Sequence, residues 1–193
     1  MTINYFIIDI ETCPLNLDKY KSLNEEERRK LINPIDSKII AVGIRYSAAN
    51  QIFFSENEKE ILEKFWEEWG KIKKENPNTQ IYGFSILNFD IPFLVARSFI
   101  NNVVIPSFFS LKYVVDLREK INAYRYGETR GKLKEYALLL GLKNLSMDGS
   151  NVADLCMNKD WDKLKSYLAN DLEITDEIYK RAKDTKILEI TKW

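Results

Sequence analysis

Hydrophobic and polar positions change period several times along this chain. Tyr5 to Thr12 (YFIIDIET) is a run of aromatic and β-branched residues ending in acids, and it reads as a strand. Ser37 to Ser47 (SKIIAVGIRYS) and Gln51 to Ser55 (QIFFS) read as two more, joined as a hairpin through Ala48-Ala49-Asn50. Gln80 to Phe84 and Tyr113 to Leu117 are shorter runs of the same kind. Between them the period lengthens to that of a helix. Ile61, Leu62, Phe65, Trp66 and Trp69 share one face of Glu58 to Lys74, which Asn76-Pro77-Asn78 ends. Asn24 to Ile32 reads as a charged surface helix capped by Asn24, with acids first and bases after, in an insertion that can flank a site at Asp9 and Glu11. A further helix is expected from an N-cap at Asn88 to about Asn101, with Pro92 in its first turn. Leu133 to Leu140, closed by Gly141, Asp148 to Met157, and the long Asp160 to Lys183 complete the set. A hairpin followed by alternating strands and helices predicts an α/β fold with a mixed central sheet, in one domain over residues 1–193.

Two places break the pattern. Residues two apart on a strand face the same way, so Asp9 and Glu11 project together, opposite Ile8 and Ile10. Burying two carboxylates is costly unless a cation lies between them, and a divalent metal would serve. The alternative is that Asp9 is an incidental strand acid and Glu11 the first loop residue. In the last helix, a step of about 100° per residue puts Trp161, Leu164, Leu168, Leu172, Ile174, Thr175, Ile178 and Tyr179 in one apolar arc. Asp162, Asn170, Glu173, Glu177 and Lys180 fall outside it, and Asp176 at its margin. Asp171 falls near the middle of the arc, one turn after Tyr167. Such an acid needs either a hydrogen-bond partner or a metal. Asp90, at the start of its helix, is the fourth acid in an unusual setting; the dipole there favours its ionised form.

Composition narrows the chemistry. The 193 residues are 45% hydrophobic and 30% charged, enough for a packed core and too apolar for a disordered chain. No apolar run approaches a membrane span and no signal-peptide pattern opens the chain, so a cytoplasmic location is expected. Cys13 and Cys156 stand in unrelated contexts and read as separate reduced thiols. There is no histidine, which excludes Ser-His-Asp triads, Cys-His pairs and HExxH zinc sites and favours hard-metal chemistry through oxygen ligands. A net charge of zero argues against coating of duplex DNA, though not against gripping a few nucleotides at a strand end.

Asp9-Ile10-Glu11-Thr12 resembles the first motif of the DEDD superfamily of 3′–5′ exonucleases, which have an RNase H-like fold. Asn88-Phe89-Asp90, after Gly83-Phe84, resembles the second motif as found in the proofreading domains of family-B DNA polymerases. Tyr167 to Asp171 resembles the third, Tyr-x-x-x-Asp, and Gly131 to Leu142 the helix that precedes it. The three motifs, in order, span nearly the whole chain. Without histidine the chain falls in the tyrosine branch. Ser85 stands where such domains often carry Asn, which implies altered contacts to the terminal nucleotide.

The resemblance implies two divalent ions, Mg²⁺ or Mn²⁺, held by Asp9, Glu11, Asp90 and Asp171. It casts Tyr167 as the group that orients the attacking water or helps deprotonate it, and implies release of nucleoside 5′-monophosphates from single-stranded DNA 3′ ends. Thr12, Ser85, Asn88 and Phe89 would contact substrate; Arg125, Tyr126, Arg130 and Lys132 form a candidate backbone-contact patch, or else a solvated loop. A polymerase or repair complex would be engaged in trans, and no membrane. Two rivals stand: an RNA exonuclease resembling RNase D, and a catalytically idle module that binds nucleic-acid ends. Asp116 reads as a helix cap or as an acid supporting the site.

Overall fold

In a computed structural model, which describes residues 3–125, 131–143 and 152–192, five strands form one mixed sheet. They are β1 (Tyr5–Pro14), β2 (Ser37–Tyr46), β3 (Ala49–Phe54), β4 (Gln80–Gly83) and β5 (Val114–Asp116), in the order β3-β2-β1-β4-β5. β2 runs antiparallel to both β1 and β3, while β4 and β5 lie parallel to β1. This is the mixed sheet of an RNase H-like fold. The hairpin turn is shorter than expected. Ser47 and Ala48 form it alone, both left-handed (φ 50° and 61°), because a two-residue turn of this hand matches the twist of the paired strands.

Two layers of helix cover the sheet. On one face, Phe6, Ile8 and Ile10 of β1 pack against α3 (Glu58–Glu75) and α4 (Asp90–Ile100). On the other, Ile7 packs with α6 (Leu133–Leu139), α7 (Val152–Asn158) and α8 (Trp161–Asp184). The alternation along β1 therefore holds, and Asp9 and Glu11 belong to the α8 side. α1 (Leu17–Ser22) and α2 (Glu25–Lys30) form the insertion after β1, and Asn24 caps α2 as expected, in a capping box with Glu27. α5 (Leu117–Ile121) follows β5 directly.

Several expectations are corrected. Cys13 and Cys156 are joined as a disulfide, with Cα atoms 6.1 Å apart. They look unrelated because 143 residues separate them, and only the seating of α7 on β1 brings them together. Asn88 does not cap α4; the helix begins two residues later, with Phe89 at the cap position and no side-chain cap. Chain reversal after β4 takes up the intervening residues, and Ser85 O accepts the backbone N–H groups of both Asn88 and Phe89. Asn170 and Asp176 are buried, although the helical wheel of α8 puts one outside the apolar arc and the other at its edge. Asp176 accepts from Tyr5 Oη and Arg45 Nε, each at 3.0 Å, and Asn170 Nδ2 donates to Lys143 O. The first residues of the helix expected at Asp148 to Met157 lie outside the described residues, as do Tyr126 and Arg130.

What seats α8 is Gly43, which pairs with Asp9 across β1 and β2. A Cβ at this position would lie 2.5 Å from Leu172 Cδ1 and 3.2 Å from Leu168 Cγ. The bare backbone lets α8 come down on the sheet directly beside the strand that carries Asp9 and Glu11. Gly43→Val should therefore lower stability by about 1–3 kcal/mol through overpacking, read as a drop in the denaturant midpoint. It should also weaken divalent-metal binding, because Asp171 rides on the displaced helix.

Candidate metal and nuclease centre

The centre is built where β1 runs under α8. Asp9 and Glu11 leave the same face of the strand, and α8 places Asp171 opposite them. One carboxylate oxygen from each of Asp9, Glu11 and Asp171 lies within 4.8 Å of the other two. Glu11 and Asp171 are each 6% exposed. Asp90, 2% exposed, lies beside Asp9 but has a different engagement: its Oδ1 accepts the backbone N–H of Ile10 at 3.0 Å. The start of α4 is thereby fastened to β1 between the two strand acids.

A cleft of about 310 Å³ opens over this cluster, lined by Asp9, Glu11, Thr12, Phe89, Tyr167 and Asp171. Pro14, Tyr20, Ile32 and Ser37 also line its wall, so the insertion after β1 does flank the acids, and Val152 and Ala153 of α7 lie there too. Ser85 and Asn88 are not among the lining residues. Ser85, in a left-handed conformation (φ 62°), gives its N–H to Asp116 Oδ1 and turns its hydroxyl toward Arg118. Asn88 is exposed. Asp116 caps α5 through the N–H groups of Arg118 and Glu119 and also accepts from Leu87 N, so it braces the turn that delivers Phe89 and Asp90. Of the basic patch, Arg125 and Lys132 are described, and both are exposed.

Electrostatics match the crowding. Burial, and then the neighbouring Asp90, Glu11 and Asp171, hold Asp9 well above the usual carboxylate range. Burial and the charges of Asp171 and Asp90 raise Glu11 in the same way. Asp90 and Asp171 are also raised, chiefly by burial. Tyr167 is 4% exposed; burial and the three acids push its phenol far above its ordinary value. It stays protonated and hydrogen-bonds Asp171. In the metal-free protein Tyr167 is therefore a neutral phenol that can donate a hydrogen bond.

One residue escaped the motif reading. Lys134, on α6, places its ammonium against the Asp171 carboxylate and 4.5 Å from the centroid of the Tyr167 ring. It lowers the cost of ionising Asp171 and Glu11. The sequence offered only a weak signal: a lysine one residue into a helix whose next turn buries Ala137.

The donor set fits a divalent cation. Three hard carboxylate oxygens converge without nitrogen or sulfur, which suits Mg²⁺ or Mn²⁺ rather than a thiophilic metal. Their proton affinities are raised first by burial and, for Asp9 and Glu11, then by the neighbouring acids, and a bound divalent ion offsets both. The sign of the pH dependence follows. In the metal-free protein these carboxyls bind protons more tightly than the unfolded chain, whose carboxyls titrate near roughly 4. Their contribution to stability should be fully present below the unfolded value and be lost as pH rises through the raised folded values. Mn²⁺ should accordingly raise the melting temperature more at neutral pH than near pH ~4. Asp9→Asn should raise the metal-free melting temperature at neutral pH and abolish the Mn²⁺ increment, both read by differential scanning fluorimetry. Lys134→Met should tighten Mn²⁺ binding in calorimetry, because it removes a competing cation.

Comparison with known proteins agrees with this geometry. Residues 47–186 match the family described as "Predicted 3'-5' exonuclease related to the exonuclease domain of PolB". That span holds Asp90, Tyr167 and Asp171, while Asp9 and Glu11 precede it and join the site through the fold. An uncharacterised protein of Methanocaldococcus jannaschii is 31% identical over 201 residues, covering 95% of this chain and 97% of the relative. The solved family-B DNA polymerase of the hyperthermophilic archaeon Pyrobaculum calidifontis superposes with a TM-score of 0.69 at 15% identity, a likeness of fold. It spans 95% of this chain, and the chain corresponds to 25% of that polymerase. The chain thus belongs to the family of 3′–5′ exonucleases related to the exonuclease domain of PolB.

Proposed function

We propose that the chain, acting as one exonuclease domain, removes nucleotides from the 3′ end of single-stranded DNA and releases nucleoside 5′-monophosphates. The observation that carries the reading is the convergence of Asp9, Glu11 and Asp171 in a cleft also lined by Phe89 and Tyr167. The kinship with polymerase exonuclease domains supports DNA as the strand. At about 310 Å³ the cleft is at the small end of ligand pockets, roughly 300–1,000 Å³, which suits one terminal residue rather than a duplex.

Asp9, Glu11 and Asp171, with Asp90 beside them, would hold two divalent ions, Mg²⁺ or Mn²⁺. Such ions activate the attacking water and stabilise the leaving 3′-oxygen. The chain's own groups supply the rest. Tyr167 hydrogen-bonds Asp171 and, remaining protonated, holds that carboxylate and a cleft water in orientation. Phe89, packed on Phe93 at 4.8 Å, offers an apolar wall to the terminal base. Thr12 lies on the cleft wall within reach of substrate. Ser85 and Asn88 would act on substrate only through the turn that they shape. Lys134, which neutralises Asp171 in the free protein, can turn to a phosphate once cations hold the acids. Work in trans beside a polymerase or repair complex, in the cytoplasm, completes the reading. Among the described residues no helix is long and apolar enough to cross a membrane.

Purified protein with Mg²⁺ or Mn²⁺ should shorten a 5′-labelled single-stranded DNA from its 3′ end, one nucleotide at a time on a denaturing gel. Asp9→Ala and Asp171→Ala should each abolish shortening, and Tyr167→Phe should slow it by about 10- to 100-fold through lost positioning. Activity that survives both alanine substitutions would remove the assignment. A matched RNA oligonucleotide in the same assay separates a DNA enzyme from an RNase D-like one. Strand binding without cleavage would identify an idle end-binding module.

A further inference from the structure

Among the described residues the acidic cleft is not the most spacious cavity. A second one, of about 760 Å³, lies between the C-terminal half of α3 and the chain leading into β5. Pro77 before β4 and Tyr113 before β5 are on its wall, whereas the acidic cleft takes Phe89 from after β4. The two therefore sit at opposite ends of the parallel strands. Trp66, Phe108, Phe109, Pro106, Pro77 and Tyr113 give this cavity an apolar interior. Phe108 is 49% exposed, an unusual position for a large aromatic beside a cavity of this size.

Gly70 lies on its wall, in the interior of α3. Glycine there costs about 1 kcal/mol of helix stability relative to alanine. The fold does not require it: a Cβ at Gly70 would meet only Phe108 Cζ, at an ordinary 3.9 Å. This contrasts with Gly43, where a Cβ collides with α8. What the absent side chain at Gly70 preserves is the open volume itself.

Exposed lysines, Lys74 and Lys112, outnumber acids on the rim, and Lys73 is buried beneath them. Lys73, Lys74 and Lys112 lie on the wall, and the one acid there, Glu67, is paired with Lys71 at 2.9 Å. Lys73 is fixed by the carbonyls of Pro77 and Thr79 and lies 3.6 Å from the centroid of the Tyr113 ring, which Lys112 also approaches at 4.7 Å. These contacts decide between classes of anionic ligand. A single-stranded nucleic acid needs bare ring faces for its bases. Here the Tyr113 ring is engaged by lysines, Trp66 is 3% exposed, and Phe109 packs edgewise on Trp66 and at a tilt on Trp69. Phe108 alone among these rings is open. An apolar socket with a cationic rim instead fits one large hydrophobic side chain followed by carboxylates.

We propose that this cavity is a docking site for an acidic peptide segment of a partner protein, anchored by a single aromatic or large aliphatic side chain that fills the space above Gly70. It lies away from the acidic cleft and does not depend on the nuclease reading. A bound partner leaves the cleft open.

The probes are short fluorescein-labelled peptides with one phenylalanine flanked by aspartates, followed by fluorescence anisotropy on the full chain. Wild type should bind, and the version with alanine in place of phenylalanine should bind at least tenfold more weakly. Gly70→Leu, which fills the socket, should weaken binding at least tenfold. Gly70→Ala should weaken it less while raising the melting temperature, a combination that a purely structural glycine would not produce. Lys74→Glu with Lys112→Glu, both on the exposed rim, should weaken binding and flatten its salt dependence. Exonuclease rates of all these variants should match wild type. Peptide affinity unchanged by both Gly70 substitutions would overturn the proposal. So would competition by an unlabelled oligothymidylate that is lost in the same variants, since that would make the cavity a nucleic-acid site.

Discussion

Like charges under cover set the terms for this molecule. Asp9, Glu11, Asp90 and Asp171 are brought together with little water to screen them, and each is held in a form that resists ionisation. Such an arrangement is unfavourable by itself and persists only because the surrounding structure is committed to it. The commitment is visible in the packing. Gly43 lets α8 approach the sheet, Asp90 is tied to the backbone of β1, and Lys134 lends a positive charge from α6. A protein with no use for a cation would gain stability by replacing any of these acids with an amide or an apolar residue.

The same constraint explains how the site is divided among the elements. The strand supplies two acids at the period of the pleat, and the long helix supplies one acid and a tyrosine at the period of the helix. These are rigid supports, so the carboxylates converge before any ligand arrives. Asp116 and the disulfide between Cys13 and Cys156 act at the edges of this frame. One braces the turn that carries Phe89. The other pins α7 beside the cleft wall, where Val152 and Ala153 are found.

Tyr167 illustrates why residue type alone does not assign a chemical role. A tyrosine near an acid cluster invites description as a base. Its burial and its three acidic neighbours drive its proton affinity upward, which favours the neutral phenol, a hydrogen-bond donor, over the phenolate. Lys134 makes the converse point: a residue outside the motif pattern becomes part of the centre because α6 packs across the end of α8.

The sequence by itself determined the local elements and the acids out of place among them. The period of YFIIDIET put Asp9 and Glu11 on one face, and the period of the last helix set Asp171 on an apolar arc; both are consequences of backbone geometry that need no neighbours. The hairpin and the alternation of strands and helices then sufficed for the mixed sheet, and the order and spacing of three motifs for the family resemblance. Tertiary structure decided everything that depends on contact between distant segments. It showed that Asp90 spends a carboxylate oxygen on Ile10 N–H, that Asn170 and Asp176 are buried, that Asn88 does not cap its helix, and that two separate cysteines meet across 143 residues. It also turned Gly70, a mild helix defect along the chain, into the floor of a cavity. Periodicity reports how a side chain faces its own element, whereas partners, burial and empty space are properties of the packing between elements, which no local window contains.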